Sequence, residues 1–349
     1  MNTVMLLTPT IILLFLGIGG ISVKRENDAY IDMETNSGLR GICALCIFFH
    51  HYAQQHEGWE MFLLDHFGYL VMNVFFMLSG YGLMYSFLHK ERYLRKTFFK
   101  KLIKLFLLYV LMNLMMCIYK FFSYGTFLSA GQIWSTMTGS ISVNLTSWFL
   151  WVLIILYIMF YAAAKWFPPD RIALVVAGLS AILALVFKMT GKPLWYYNYI
   201  GGFAIGIHMM IQEEKREQKL RYHGNIYVCI LAALTVLFYS ISKLEKFVAL
   251  PVYISSFLDI AAIACSVCLT LLAAEALKKI CFHNRICTWL GKLSLWIYVL
   301  HGVVQNCVIA YVPQRAVALW ISLGITLILA AVLDLAICKM KNRISETGI

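Results

Sequence analysis

Eleven long, mostly apolar stretches follow one another along this chain, at about 3–22, 39–55, 67–88, 102–122, 146–164, 171–189, 194–211, 225–242, 251–275, 289–311 and 316–338. A helix needs about 20 residues to cross roughly 30 Å of hydrocarbon, and in lipid each backbone polar group must be satisfied within the protein. The pattern predicts an all-α fold, a polytopic membrane helical bundle of about 11 transmembrane helices. Composition closes the other routes. Of the 349 residues 61% are hydrophobic and 13% charged, where a soluble domain runs at about 45–50% and 25%. Such a chain has too few polar groups to cover a water-exposed surface, which excludes a soluble enzyme, a disordered segment and a collagen-like fibre. The connections are short except for 89–101 and 123–145, and no stretch reads as a soluble domain or an internal repeat.

The formal charge is +12, but its placement argues against a nucleic-acid partner. The first apolar run has no basic residue before it and no small-residue cleavage site after it, and Lys24 and Arg25 follow it directly. This reads as an uncleaved helix whose start faces outward. With strict alternation from there, 23 of the 29 lysines and arginines fall on the cytoplasmic side, as positive-inside topology requires. The outer side keeps Lys120, Lys188, Lys192, Lys243, Lys246 and Arg315. An odd number of spans then puts the C-terminus in the cytoplasm. Ten cysteines lie mostly inside apolar runs. Cys43/Cys46 and Cys265/Cys268 have paired spacing, yet neither segment supplies the remaining ligands of a zinc set. They read as packing residues, and no metal is expected.

Ionisable groups within a bilayer are costly and so mark candidate sites. Arg40 opens the second span, and His51 follows eleven residues later, near three full helical turns. The two share a helix face, with the cation at the cytoplasmic rim and the imidazole roughly 16 Å deeper. His50 is rotated about 100° away and reads as a packing imidazole. Lys101 and Lys104 sit one turn apart at the cytoplasmic mouth of the fourth span. His301 reaches a depth like that of His51. Asp259 is an acid placed to orient an imidazole or to pair with a hydroxyl. Glu275 and His208 lie near cytoplasmic helix ends and are expected to be solvated, as are His56, His66 and Asp65 in the outer loop. Trp195, Tyr196, Tyr197 and Tyr199 read as interface anchors.

Several elements in order resemble acyltransferase family 3, the bacterial integral-membrane O-acyltransferases. Leu39-Arg40-Gly41 with His51 resembles the opening signature, and Phe75-Phe76-Met77-Leu78-Ser79-Gly80-Tyr81 the Phe-Phe-x-Leu-Ser-Gly element. Phe98 to Tyr109 resembles the basic motif. Ser147-Trp148-Phe149-Leu150, Gly201-Gly202-Phe203 with Gly206, and Leu290-Gly291 through Ser294, Tyr298, Leu300 and His301 match later elements. The chain departs from the pattern at Asn73, where an aspartate is usual, at Lys101 and Lys104, where arginines are usual, and at Leu107 for a proline. Lysine keeps the charge and loses the bidentate fork. The resemblance implies a ten-helix acyltransferase domain over 36–349, preceded by an extra helix and linker over 1–35.

It also implies an activity: an acyl group, usually acetyl, passes from cytosolic acyl-CoA to a hydroxyl of an extracytoplasmic glycan, in the bacterial inner membrane. His51 would act as base or as transient acyl carrier, with Arg40, Lys101 and Lys104 holding the CoA phosphates. Ser79, Asn73, His301 and Asp259 are supporting candidates. The expected partners are a carbohydrate acceptor and membrane lipids. A multi-span transporter or flippase for a sugar or lipid-linked glycan is the competing reading. It would favour proline- and glycine-broken helices in paired positions, and only six prolines occur here. The charge count predicts that single cysteines placed in 55–66 are labelled from outside intact cells. Cysteines placed in 89–101 should be labelled only after permeabilisation.

Overall fold

The structure, a computed structural model, describes residues 2–23, 30–56, 58, 61–139, 143–215, 225–244 and 252–346. Lys24, Arg25, Glu57, Glu60, Arg216, Lys219, Arg221 and Lys246 lie outside the described residues. The chain forms α1 (Asn2–Gly19), β1 (Ile21–Val23), α2 (Met33–Ala53), α3 (Phe62–His89), α4 (Tyr93–Lys96), α5 (Phe98–Tyr124), α6 (Ala130–Met137) and α7 (Trp148–Trp166). It continues with α8 (Pro169–Met189), α9 (Gly201–Glu214), α10 (Asn225–Ser242), α11 (Val252–Lys279), β2 (Ile280–Phe282), α12 (Arg285–Tyr311) and α13 (Arg315–Glu346). The fold is an all-α bundle. Its sole departure among the described residues is a short antiparallel ladder of β1 on β2, with Ser22 opposite Cys281.

Each of the eleven expected spans falls on a helix, and eight of these are long and apolar enough to cross a membrane: α3, α5, α7, α8, α10, α11, α12 and α13. The other three fall short for different reasons. In α1 the apolar stretch Leu6–Gly19 is short. Polar residues, Arg40 and two histidines dilute α2, which is nonetheless buried along most of its length. Surrounded by protein, it has no need to be apolar all round. The 14 residues of α9 rise about 21 Å, less than a full crossing.

The shortness of α9 corrects the expected helix over 194–211. Pro193 has no N–H to donate, and a 3-10 turn, Leu194–Tyr196, precedes an irregular stretch up to Gly201. Tyr196, Tyr197, Asn198, Tyr199 and Ile200 are all buried there. Tyr197 Oη donates to Asp259 Oδ2 at 3.2 Å, and Ser266 Oγ donates to Asn198 Oδ1 at 3.0 Å. Protein rather than lipid covers this irregular backbone, the condition on which a membrane protein tolerates it. Of the four aromatics expected at the interface, Trp195 alone is exposed. The long connection over 123–145 likewise holds the helix α6, started by a capping box between Ser129 and Gln132.

Two helix pairs bring backbones together through glycine. A Cβ at Gly41 in α2 would lie 1.9 Å from the Cys287 carbonyl oxygen of α12, and one at Gly291 would lie 1.9 Å from that of Ser37. Gly80 of α3 and Gly206 of α9 meet the Phe203 and Met77 carbonyl oxygens in the same reciprocal way, at 2.0 Å each. Small residues permit such approach where lipid offers no hydrophobic drive between helices. Further along, His51 meets His301 and Gln55 meets Gln305, while Gly202 meets Asn73 and Glu213 meets Tyr81, so contact positions rise together in both pairs and the partners run parallel. Seven helices, α9 among them, separate α2 from α12 if α4 and α6 are set aside. An odd number of intervening crossings returns the chain to the same direction, so the parallel pair requires α9 to count as a crossing.

Three other polar contacts close the cytoplasmic end assigned by the charge count. Tyr81 Oη donates to Glu213 Oε2 at 2.8 Å, and so does the Tyr30 backbone N–H. Glu275, expected to be solvated, is buried and pairs at 2.6 Å with the equally buried Lys278. Exposed apolar side chains such as Phe15, Leu174, Ile226, Val236 and Leu335 leave the outer helices facing lipid. Gly41→Ala and Gly291→Ala are expected to separate α2 from α12 and to destabilise by more than the roughly 1–3 kcal/mol typical of overpacking, because backbone cannot step aside. Thermal unfolding in detergent checks this. Gly324→Ala, where nothing lies within 4 Å, is the neutral control.

Candidate active site

The candidate site is built on the parallel pair α2 and α12, each started by its own cap. Asp32 Oδ1 accepts from the Thr35 N–H at 2.6 Å, and Asn284 Oδ1 accepts from Ile286 N–H at 3.0 Å and Cys287 N–H at 3.2 Å. From the glycine crossing onward the two helices stay in register. Gln55 Nε2 meets Gln305 Oε1 across an offset of 250 residues at 3.5 Å, and Gln305 Nε2 donates to the Phe48 carbonyl oxygen at 2.8 Å. The same offset sets His51 beside His301. Their rings are stacked, with centroids 5.1 Å apart and planes 21° from parallel.

Hydrogen bonding fixes the proton positions. His301 Nδ1 donates to the Tyr298 carbonyl oxygen at 2.7 Å and to that of Ile297 at 3.2 Å. Since both partners are acceptors, Nδ1 carries the proton and Nε2 holds the lone pair. That Nε2 is buried and has no hydrogen-bond partner among the described residues. His51 Nδ1 donates to Gln54 Oε1 at 3.0 Å, which leaves its Nε2 as the basic nitrogen too. His51 stays half-buried. His50 turns elsewhere: its Nδ1 donates to the Asp65 carbonyl oxygen at 2.5 Å and lies 3.6 Å from the Asp65 carboxylate. Gly68 gives the His50 ring its room, since a Cβ there would lie 2.4 Å from it.

Between the C-terminal end of α2 and the N-terminal end of α3 a cavity of about 500 Å³ is lined by Ala53, Gln54, His56, Gly58, Met61, Phe62 and Asp65. Two of its lining residues bond the imidazoles, Gln54 that of His51 and Asp65 that of His50. Burial, then the nearby Arg315 guanidinium, hold the His56 pKa below the usual imidazole value. At the opposite end Arg40 lies within electrostatic reach of Lys101 on α5 and of Tyr157 on α7. Lys101 Nζ donates to Ser86 Oγ at 3.2 Å and stands 5.1 Å above the Tyr93 ring. Tyr93 also lines a basic cavity of about 260 Å³ with Lys90, Arg92 and Arg95. Arg92 takes a left-handed backbone there, φ 50°, a conformation that costs a side-chain-bearing residue on the order of 1–2 kcal/mol. No described carboxylate lies within ion-pair distance of Arg40 or Lys101. Lys104 is exposed.

The family model described as an acyltransferase domain matches residues 28–335 of the 349. The chain belongs to acyltransferase family 3. No curated protein and no solved structure matches it.

In this membrane acyltransferase the structure brings some of the expected residues together and leaves others apart. His51 and His301 meet, and Arg40 and Lys101 share one mouth. Ser79 Oγ donates to the Phe75 carbonyl oxygen of its own helix at 2.7 Å. Asn73 Oδ1 accepts from Thr270 Oγ1 at 3.2 Å, beside a separate cavity lined by Tyr199, Tyr239 and Ser266. Asp259 pairs with Lys188 at 2.5 Å and with Tyr197, not with an imidazole. Gln54, Tyr157 and Gln305 belong to the site and went unread. Gln54 follows His51 by three residues, the spacing at which helix neighbours touch, and that signal could have found it. Tyr298, flagged in the sequence by its family element, hydrogen-bonds the Thr146 carbonyl oxygen, and its ring lies 5.4 Å from Phe149 and 5.6 Å from His301. His51→Ala is expected to lower the rate of acyl transfer by about 100-fold or more, the usual scale for a general base. His50→Ala should retain most activity, because its ring is tied to Asp65. Turnover assays on the purified variants distinguish the two.

Proposed function

We propose that this acyltransferase moves an acyl group, acetyl in the first instance, from cytosolic acyl-CoA to a hydroxyl of an extracytoplasmic carbohydrate. The observation that carries this reading is the pair Arg40 and Lys101, uncompensated among the described residues. Desolvated cations without a carboxylate are costly. A pyrophosphate bound between them would supply the missing charge through charge-assisted hydrogen bonds. The basic cavity at Lys90, Arg92 and Arg95 offers further cations for the rest of the nucleotide. Arg40 and His51 stand on one face of α2, roughly 16 Å apart along the axis. A pantetheine arm can span that distance and carry its thioester to the imidazoles.

His51 Nε2 is the base in this reading. It takes the proton of the acceptor hydroxyl as the oxygen attacks the thioester carbonyl. The tetrahedral intermediate then collapses, the C–S bond breaks, and the imidazolium returns its proton to the departing thiolate. The acyl-carrier route uses the same nitrogen: Nε2 attacks the thioester, CoA leaves, and the hydroxyl takes the acyl group from the imidazole. His301, stacked on His51 with its own free Nε2, could then serve as base for the second step. Gln54 holds the His51 tautomer that either route needs. The outer cavity at Gln54, Phe62 and Asp65 gives the acceptor a polar approach to the same ring.

Lys101→Gln is expected to raise the KM for acetyl-CoA by about tenfold to a hundredfold, the loss of one charge-assisted contact, with little effect on acceptor KM. Lys104→Gln, at an exposed position, should have the smaller effect, and Lys→Arg at both sites should preserve binding. Titration of acetyl-CoA against the purified variants measures this, and unchanged affinity in Lys101→Gln would overturn the donor assignment. Mass spectrometry of surface glycans from cells with and without the gene tests the acceptor class.

A further inference from the structure

We propose that Asp32, Cys281 and His283 form a binding site for a zinc-like divalent metal ion, set where α11 ends and α2 begins. The three ligand atoms lie within 4.8 Å of one another and come from two distant parts of the chain. Strand alternation, carried one residue past the end of β2, places His283 on the same face as Cys281. Phe282 takes the other, where its ring fills the space beside Gly20 and Gly38. The pairing of Ser22 with Cys281 holds the strand, and the His283 N–H donates to the Gly20 carbonyl oxygen at 2.7 Å. Asp32 is fixed independently, because its Oδ1 caps α2 through Thr35. Its Oδ2 remains, 3.2 Å from His283 Nε2.

Ligand chemistry selects the ion. A thiolate, an imidazole and a carboxylate form a mixed sulfur, nitrogen and oxygen set that suits zinc. Bonds of about 2.0–2.3 Å in a tetrahedron put neighbouring ligand atoms roughly 3.3–3.8 Å apart, so the Asp32–His283 separation is already close to one edge. The Asp32 and His283 side chains are about two-fifths exposed, at 43% and 41%, and Cys281 is half-buried. An ion can enter from solvent and keep a water as fourth ligand. As it binds, the Cys281 thiol gives its proton to solvent and the S–metal bond forms. His283 then ligates through Nε2 with its proton on Nδ1, and Asp32 through Oδ2. No electron is transferred. The ion would clamp the foot of α2, eight residues before Arg40, to the end of α11. Across 251 residues of separation, no local sequence spacing announces such a set.

The test uses the full-length protein in detergent, with any affinity tag removed and metals stripped by a chelator, titrated with cobalt(II) and then zinc(II). One cobalt per chain should bind with tetrahedral d–d absorption and a thiolate-to-cobalt charge-transfer band, and zinc should displace it. Cys281→Ser should lose that band. His283→Ala and Asp32→Asn should each weaken zinc binding by at least about tenfold, the lower limit for removing even an outer partner. Asparagine still caps α2, so Asp32→Asn remains folded. Cys281→His should keep one zinc without the thiolate band, which separates loss of a ligand from loss of the fold. Absence of cobalt absorption in the wild-type protein, or the same band in Cys281→Ser, overturns the site.

Discussion

Backbone meets backbone where α2 crosses α12, and the site depends on that contact. Gly41 and Gly291 remove the side chains that would hold the helices apart. Ten residues further along each helix, His51 and His301 stack. In lipid, helix pairing draws on close packing and hydrogen bonds rather than on hydrophobic exclusion. The glutamine bridge and the bond from Gln305 to the Phe48 carbonyl oxygen continue the same register above the imidazoles. A shift of one residue along this seam would rotate one imidazole away from the other by about 100°. The glycines therefore set the geometry of the imidazole pair roughly 15 Å away.

The second constraint is electrical. Several buried or half-buried charges elsewhere are matched: Glu275 by Lys278, Asp259 by Lys188, and Glu213 by hydroxyl and amide donors from Tyr81 and Tyr30. At one mouth of the α2 face Arg40 and Lys101 stand near each other with no acid within ion-pair distance among the described residues. Such an arrangement is unfavourable in an empty protein and favourable around an anion. The helix ends are tied together at this same end of the bundle by the Tyr30 and Tyr81 contacts and by the β1–β2 ladder. The cations therefore sit in a firm frame.

Much of this architecture was legible in the sequence because a bilayer leaves few options. Apolar runs long enough to span must become helices, since lipid cannot bond a free N–H or C=O. Ten of the eleven runs fell on helices for that reason, and the run over 194–211 did so only from Gly201. The same logic marked Arg40, His51 and His301, because an ionisable group at depth must have a use or a partner. It also overreached. Glu275 looked solvated because hydropathy sees a helix end but not the Lys278 beside it. The run over 194–211 looked helical because hydropathy does not separate burial in protein from burial in lipid, and there the chain takes an irregular path under cover of α11.

The sequence by itself determined the fold class, the family, the face shared by Arg40 and His51, and the histidines worth testing. These follow from local rules: the length of a span, the pitch of one helix, and the cost of a charge in hydrocarbon. Only the tertiary structure decided that His51 stacks on His301, that Lys101 turns inward while Lys104 does not, and that Asp259 serves Lys188. It also decided that Asp32 meets Cys281 and His283. Each of these joins residues on different helices or strands, and spacing along the chain carries no information about which helix lies beside which. That choice was made by the glycine seams, where backbones approach closely enough to fix one register and exclude its neighbours.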